Sequence, residues 1–299
     1  MTSRLRSTSD LARVAFRQVD VFTGTPFQGN PVAVILEGDA LTGTQMQQIA
    51  AWTRLSETAF LCTPRHHEAD YRLRIFTPGE EIPFAGHPTI GSAWAFLQDG
   101  RRPKTPGRLV QECGKGLIAL RQAGERLFCA LPDPRILAAD ESERLAVANA
   151  LGLRPDEIGV HALVDVGPVW FTVQLASAGK VLTLKPRAAL METLADARYD
   201  GITVFGLHPP GTTEALEVRS VAPRLGVPED PVCGSGNGCV AALVRQHRLL
   251  ASSHYTASQG ACLSRSGRVA IEYDPDGTIW VGGLAVTCIE GSLAVDRKR

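Results

Sequence analysis

The sequence predicts an α+β fold of two pseudo-symmetric domains, each a rolled mixed sheet closed around one central helix. Two observations carry this. A glycine turn that opens a small-residue helix occurs twice, as PFAGHPTIGSAWAFL from Pro83 to Leu97 and as EDPVCGSGNGCVAALVRQ from Glu229 to Gln246. The segments ahead of the two turns also match. Arg74-Ile-Phe-Thr-Pro78 has the spacing of Arg219-Ser-Val-Ala-Pro223, and each reads as a strand stopped by proline, then a loop carrying Glu and Pro. One repeat in about 150 residues means two related domains rather than a solenoid. We place the first at residues 1–126 and the second at 127–285, with a tail strand at 286–299 expected to cross back and complete the first sheet.

The elements follow in order. Ala15 to Phe22 alternates as a strand and Val32 to Leu36 is a second, with the turn-rich FTGTPFQGNP between them. Gln28 and Asn30 on that loop either reach a ligand or simply form the turn. Thr42 or Thr44 can cap a helix with Met46, Ile49, Ala50 and Thr53 at helical spacing, ending near Arg54. LSETAFL returns to strand, which leaves Glu57 at a helix-to-strand junction. YRLRIFTP is a strand, and residues 100–108 form a break. LVQE, GLIAL and RLFCALP alternate as strands, and Glu141 to Leu151 reads as a helix. Leu163 to Leu175 is strand–turn–strand with Trp170 and Phe171 as core, and Lys185 to Ala197 is a further helix. GITVFGL and the tail VGGLAVTCIEGSL read as strands.

Composition narrows the class. With 44% apolar and 21% charged residues the chain is a globular protein, and its zero net charge favours neither nucleic acid nor an anionic membrane. No window reaches the ~20 apolar residues of a membrane span. The N-terminal segment lacks the apolar core of a secretory signal and is expected to fray; its Arg and Ser content hints faintly at a transit peptide. Seven cysteines without a CxxC pair fit reduced thiols and a cytoplasmic location. The cluster His66-His67-Glu68 is read as a solvated turn rather than a metal site, so neither metal nor cofactor is expected.

The doubled turn carries the chemistry. Unpaired N–H groups at a helix start, with the positive dipole end, favour an anion. Two such turns facing one cleft suit a small carboxylate-bearing substrate. Glu57 and Asp230, from opposite halves, are base and acid candidates, with His87 and Ser235 beside them. A carboxylate at the negative end of a helix dipole suits a general base. No strand–GxGxxG–helix unit, Walker lysine or G-x-S-x-G elbow is present. Two carboxylates with a carboxylate cradle suit proton transfer at carbon.

VDVFTGTPFQGNPVAVIL, LSETAFL, RIFTPGEEIPFAGHPTIGSAWAFL, the DP-x-x-GSGNG turn and VGGLAVTCIEG together resemble the PhzF, or phenazine biosynthesis-like, family from about Phe16 to Leu293. That family is similar in fold to diaminopimelate epimerase. The resemblance implies an active site between two pseudo-symmetric domains, commonly in a homodimer, and cofactor-free isomerisation of trans-2,3-dihydro-3-hydroxyanthranilate. By motif it implies catalytic roles for Glu57, His87 and Asp230, and substrate binding by Gly86, Gly234 and Ser235, to which Asn30 is added from its loop. In the related epimerases a cysteine heads each glycine turn; here Cys233 heads the second but Ala85 the first, which disfavours a two-thiol racemase. A one-thiol epimerase using Cys233 with Glu57 or Asp230 stays open, as does a non-catalytic small-acid-binding protein.

Overall fold

The computed structural model describes residues 11–187, 197–223 and 227–296. Among these, eighteen strands and five helices form a mixed α+β fold dominated by sheet. The first half runs β1 (Leu11–Val21), β2 (Asn30–Ile35), α1 (Gly43–Thr53), β3 (Thr58–Cys62), β4 (Tyr71–Phe76), β5 (Glu81–Ile82), α2 (Gly86–Gln98), β6 (Arg108–Cys113), β7 (Gly116–Ala123) and β8 (Arg126–Ala130). A short β9 (Arg135–Leu137) and α3 (Glu141–Leu151) lead to β10 (His161–Asp165), β11 (Val169–Gln174), α4 (Ala178–Thr183), β12 (Gly201–Leu207), β13 (Leu216–Ala222) and β14 (Val227–Asp230). Then come α5 (Gly234–Gln246), β15 (His254–Gln259), β16 (Gly267–Tyr273), β17 (Ile279–Gly283) and β18 (Ala285–Asp296).

The repeat seen in the sequence is a repeat of pairing. From β1, the neighbours are β2 antiparallel, β3 parallel, β4 antiparallel, β6 parallel, then β7 and β8 antiparallel. From β10 the same directions recur through β11, β12, β13, β15, β16 and β17. β8 pairs with β17 and joins the two series. β18 lies antiparallel to β1 from Leu11↔Asp296 to Val21↔Ala285, as β9 lies on β10. The matched arginines do the same work in each copy. Arg74 grips Glu81 through two hydrogen bonds of 2.7 and 2.6 Å, and Arg219 grips Glu229 through two of 2.9 Å. Each fork pins the short strand that leads into a glycine turn.

α2 and α5 are buried along most of their length. Their small residues allow it: a Cβ on Gly91 would lie 2.5 Å from Val32, and one on Gly238 2.6 Å from Leu131. α1 begins as expected at Thr42, whose side chain and Gln45 cap each other, and ends at Arg54 in the left-handed region.

Three expectations need correction. β1 starts four residues before Ala15, because the tail strand supplies partners for Leu11 to Val14, and it ends before Phe22, whose φ of 66° turns the chain out of the sheet. Asn30 is the first residue of β2, paired with Val21, rather than part of the loop. Lys185–Arg187 are not helical; most of the helix expected there lies outside the described residues, and α4, capped by Ser177, precedes it. Among the described residues no helix is long and apolar enough to cross a membrane.

Candidate active site

The two glycine turns meet. A Cβ on Gly86 would stand 3.5 Å from the Cα of Gly234, and one on Gly234 would stand 3.3 Å from both the His87 backbone nitrogen and the Phe22 ring. The absence of side chains lets the helix starts abut: a Cβ on Gly234 would be tight, whereas one on Gly86 would make an ordinary contact that fills the space between them. The first N–H groups of a helix have no intrahelical acceptor, so those of Gly86 and His87 in one turn and of Gly234 and Ser235 in the other are available to a ligand. Pro88 contributes none. The arrangement favours an anion beside the paired turns.

Glu57, the residue before β3, reaches the same point from the end of α1. Its Oε2 lies 3.3 Å from His87 Nε2. Both atoms are buried, yet neither has a hydrogen-bond partner of acceptable geometry. Buried polar atoms are rarely left unpaired, and two facing each other mark a place where a ligand's polar group fits. The opposite ring nitrogen, Nδ1, lies 3.4 Å from Asn30 Nδ2. That amide also donates to Asp230 Oδ1 at 2.7 Å and to the Val232 carbonyl at 3.0 Å. Glu57, His87, Asn30 and Asp230 thus form one chain of contacts from the first half of the molecule to the second.

Asp230 is held by more than Asn30. The backbone N–H of Val232 donates to its Oδ1 at 3.1 Å, and Gln259 Nε2 donates to its carbonyl at 3.0 Å. Burial is the main cause that raises its carboxyl from 3.8 to about 6; nearby His87 opposes the rise and Glu57 adds to it. A carboxyl group so raised changes its charge closer to neutral pH than an exposed one does.

The structure brings together every residue singled out for the site: Asn30, Glu57, Gly86, His87, Asp230, Gly234 and Ser235. Asn30 is 1% exposed and its amide nitrogen is engaged by protein acceptors. Gln28 touches the second half through its carbonyl, which accepts from the Ser266 N–H at 2.8 Å. His66, His67 and Glu68 stand exposed on a turn. Among the described residues no group of three His, Cys, Asp or Glu converges on a metal position. A surface depression of about 470 Å³, lined by Asp39, Cys62, Tyr71 and Arg101 among others, shares no residue with the cluster.

Cys233 is 2% exposed, and its sulfur accepts from the Gly236 N–H at 3.2 Å as the cap of α5. Burial, with the Asp230 charge beside it, pushes the thiol well above its ordinary range. The sulfur is a buried cap of α5, and desolvation disfavours its thiolate.

Two supporting residues escaped the sequence reading. Trp170 Nε1 donates to Ser235 Oγ at 3.1 Å, so a residue assigned to the core also orients the site hydroxyl. The signal was available, since a buried indole N–H needs an acceptor. Gln259 accepts from the Cys233 N–H at 3.1 Å and from Asn237 Nδ2 at 2.8 Å while donating to Asp230, locking the second turn.

Two glycine turns that open buried helices, on two copies of one sheet topology, define an epimerase-like class of fold. The family model described as phenazine biosynthesis-like protein, PhzC-PhzF, matches residues 19–291, and the chain belongs to that family. It is similar to antisense-enhancing sequence 1 of Schizosaccharomyces pombe, 40% identical over 93% of this chain and 97% of that one. It is also similar to the trans-2,3-dihydro-3-hydroxyanthranilate isomerase of Pseudomonas aeruginosa, 32% identical over 77% and 79%. Its fold matches the crystal structure of a PhzF-family phenazine biosynthesis protein from Bacillus anthracis, with a TM-score of 0.82 over 95% of this chain and 100% of that one at 23% identity.

Proposed function

We propose that the protein is a cofactor-independent isomerase that moves a proton between carbons of a small unsaturated substrate bearing a carboxylate. The observation that carries this reading is the buried, unpaired Glu57 Oε2 facing the unpaired His87 Nε2 beside two abutting helix starts. The helix N–H groups hold the substrate carboxylate, and Ser235, oriented by Trp170, adds a hydroxyl. Glu57 takes a proton from one carbon while the electron pair moves into the adjacent unsaturation. A proton is then returned to the other carbon. Glu57 itself returns that proton, and Asp230, raised to about 6, donates a hydrogen bond to the substrate from the facing side while protonated.

In this reading the site lies between two domains divided near residue 126, with residues 286–299 returning to the first, and the molecule works as a cytoplasmic homodimer. The relative named for trans-2,3-dihydro-3-hydroxyanthranilate supports that compound as the first substrate to try. Incubation with it, and with a panel of small unsaturated acids, in deuterated water followed by NMR tests the reading. A shifted double bond in the product is the expected result. Tight carboxylate binding with no isomerisation of any ligand would instead make the protein a small-acid binder.

A further inference from the structure

We propose that Asn30 sets the tautomer of His87, so that the neutral ring carries its proton on Nε2, facing Glu57. Asn30 then acts as a positioning residue that touches no substrate.

The inference rests on donor and acceptor chemistry. Asn30 Nδ2 lies 3.0 Å from the Val232 carbonyl oxygen and 2.7 Å from Asp230 Oδ1. A carbonyl oxygen can only accept, so the amide must turn its NH₂ end, and not its oxygen, toward this group. An amide nitrogen has two hydrogens and no lone pair to offer. Those two hydrogens are directed at Asp230 and Val232, so His87 Nδ1, 3.4 Å from the same nitrogen, receives at most a shared hydrogen and finds no acceptor there. A hydrogen on Nδ1 would point at the hydrogens of the amide. On the other side of the ring, Nε2 faces Glu57 Oε2 at 3.3 Å, and an ionised carboxylate only accepts. Both ends of the ring select one arrangement, with Nδ1 bare and Nε2 protonated. His87 is 4% exposed, so bulk water does not compete for either nitrogen.

The consequence rests on the reading of Glu57 as the base. When the C–H bond breaks and the O–H bond forms on Glu57, the neighbouring Nε2 already holds a hydrogen and cannot take a second from it as a neutral acceptor. The proton stays on Glu57, then leaves it as the new C–H bond forms. His87 keeps its Nε2 hydrogen, which is available to donate to Glu57 or to a bound ligand, and no other reactant is consumed. Asn30 thereby makes proton return by Glu57 itself the favoured route.

The test is ¹⁵N NMR of protein labelled at histidine, above the imidazole transition, with the His87 signals assigned by their loss in His87→Gln. The expected spectrum shows a protonated Nε2 and a bare Nδ1; the reverse tautomer, or an averaged mixture, would overturn the proposal. In Asn30→Asp an acceptor replaces the donor, and the proton is expected to move to Nδ1; an unchanged tautomer would count against Asn30 as its cause. Should that variant not fold, the wild-type spectrum still decides. His87→Gln can place an amide N–H near the position of Nε2–H, whereas His87→Asn cannot reach it. The Gln variant should therefore keep about tenfold more turnover, the worth of one hydrogen bond. The spectrum needs no substrate. A protonated Nε2 in a protein that isomerises nothing would defeat the functional reading and leave the tautomer standing.

Discussion

Asn30 and Asp230 stand 200 residues apart in the sequence and meet through a 2.7 Å hydrogen bond. This contact ties the start of β2 to the end of β14, and with it Glu57 and His87 to Asp230. Burial at the junction makes the charge on Asp230 costly.

Stability should therefore depend on Asp230 in a defined pH window. The folded protein binds this proton more tightly than the unfolded chain does. The resulting stabilisation is complete below about pH 4 and is lost as pH rises through about 6. The rise from 3.8 to about 6 corresponds to on the order of 3 kcal/mol. Asp230→Asn removes the titration. Urea denaturation across this range should show the variant gaining stability relative to the native protein as pH rises from 4 to 7, while isomerisation is lost.

Glu57 raises the Asp230 carboxyl through its charge. In Glu57→Gln that contribution disappears, and a carbon-detected NMR titration should find Asp230 ionising at lower pH than in the native protein. An unchanged midpoint would mean that the two carboxylates do not sense each other.

Cys233 should behave as a cap and not as a nucleophile. Iodoacetamide at neutral pH should leave it unmodified in the folded protein, while the exposed Cys262 remains within reach of the reagent. Cys233→Ser keeps an acceptor for the Gly236 N–H and should retain turnover. Cys233→Ala loses the cap, at a cost of about 1 kcal/mol in thermal or chemical denaturation. Abolished turnover in the serine variant, with the fold intact, would restore a chemical role for the thiol.

Two glycine substitutions should separate folding from binding. A Cβ on Gly236 would lie 2.5 Å from Ser220 Oγ and 2.7 Å from Thr203 Oγ1, so Gly236→Ala should destabilise by about 1–3 kcal/mol. A Cβ on Gly86 meets the Gly234 backbone at ordinary contact distances of 3.5 to 3.6 Å. Gly86→Ala should fold normally yet weaken carboxylate binding, read by calorimetric titration, because the methyl occupies the space between the turns.

The repeat was legible because it is written in local sequence: proline-stopped strands, matched arginines and glycine turns recur at fixed spacing. The candidate residues were legible for the same reason, each lying in a short motif. What escaped depends on long-range contact. Trp170 in an apolar strand looks the same whether its indole N–H meets Ser235 or another acceptor. Asn30 in a turn-rich segment gives no sign of Asp230. The outer end of β1 could not be assigned without its partner β18, which lies at the far end of the described chain.

The central claim is that Glu57 moves the proton. Its most direct test is Glu57→Gln, incubated with a substrate that the native protein isomerises, in deuterated water. The variant should bind the ligand about as well as the native protein while proton exchange and isomerisation fall by roughly two to four decades. Exchange at the native rate in that variant would contradict the account and return the base to another residue.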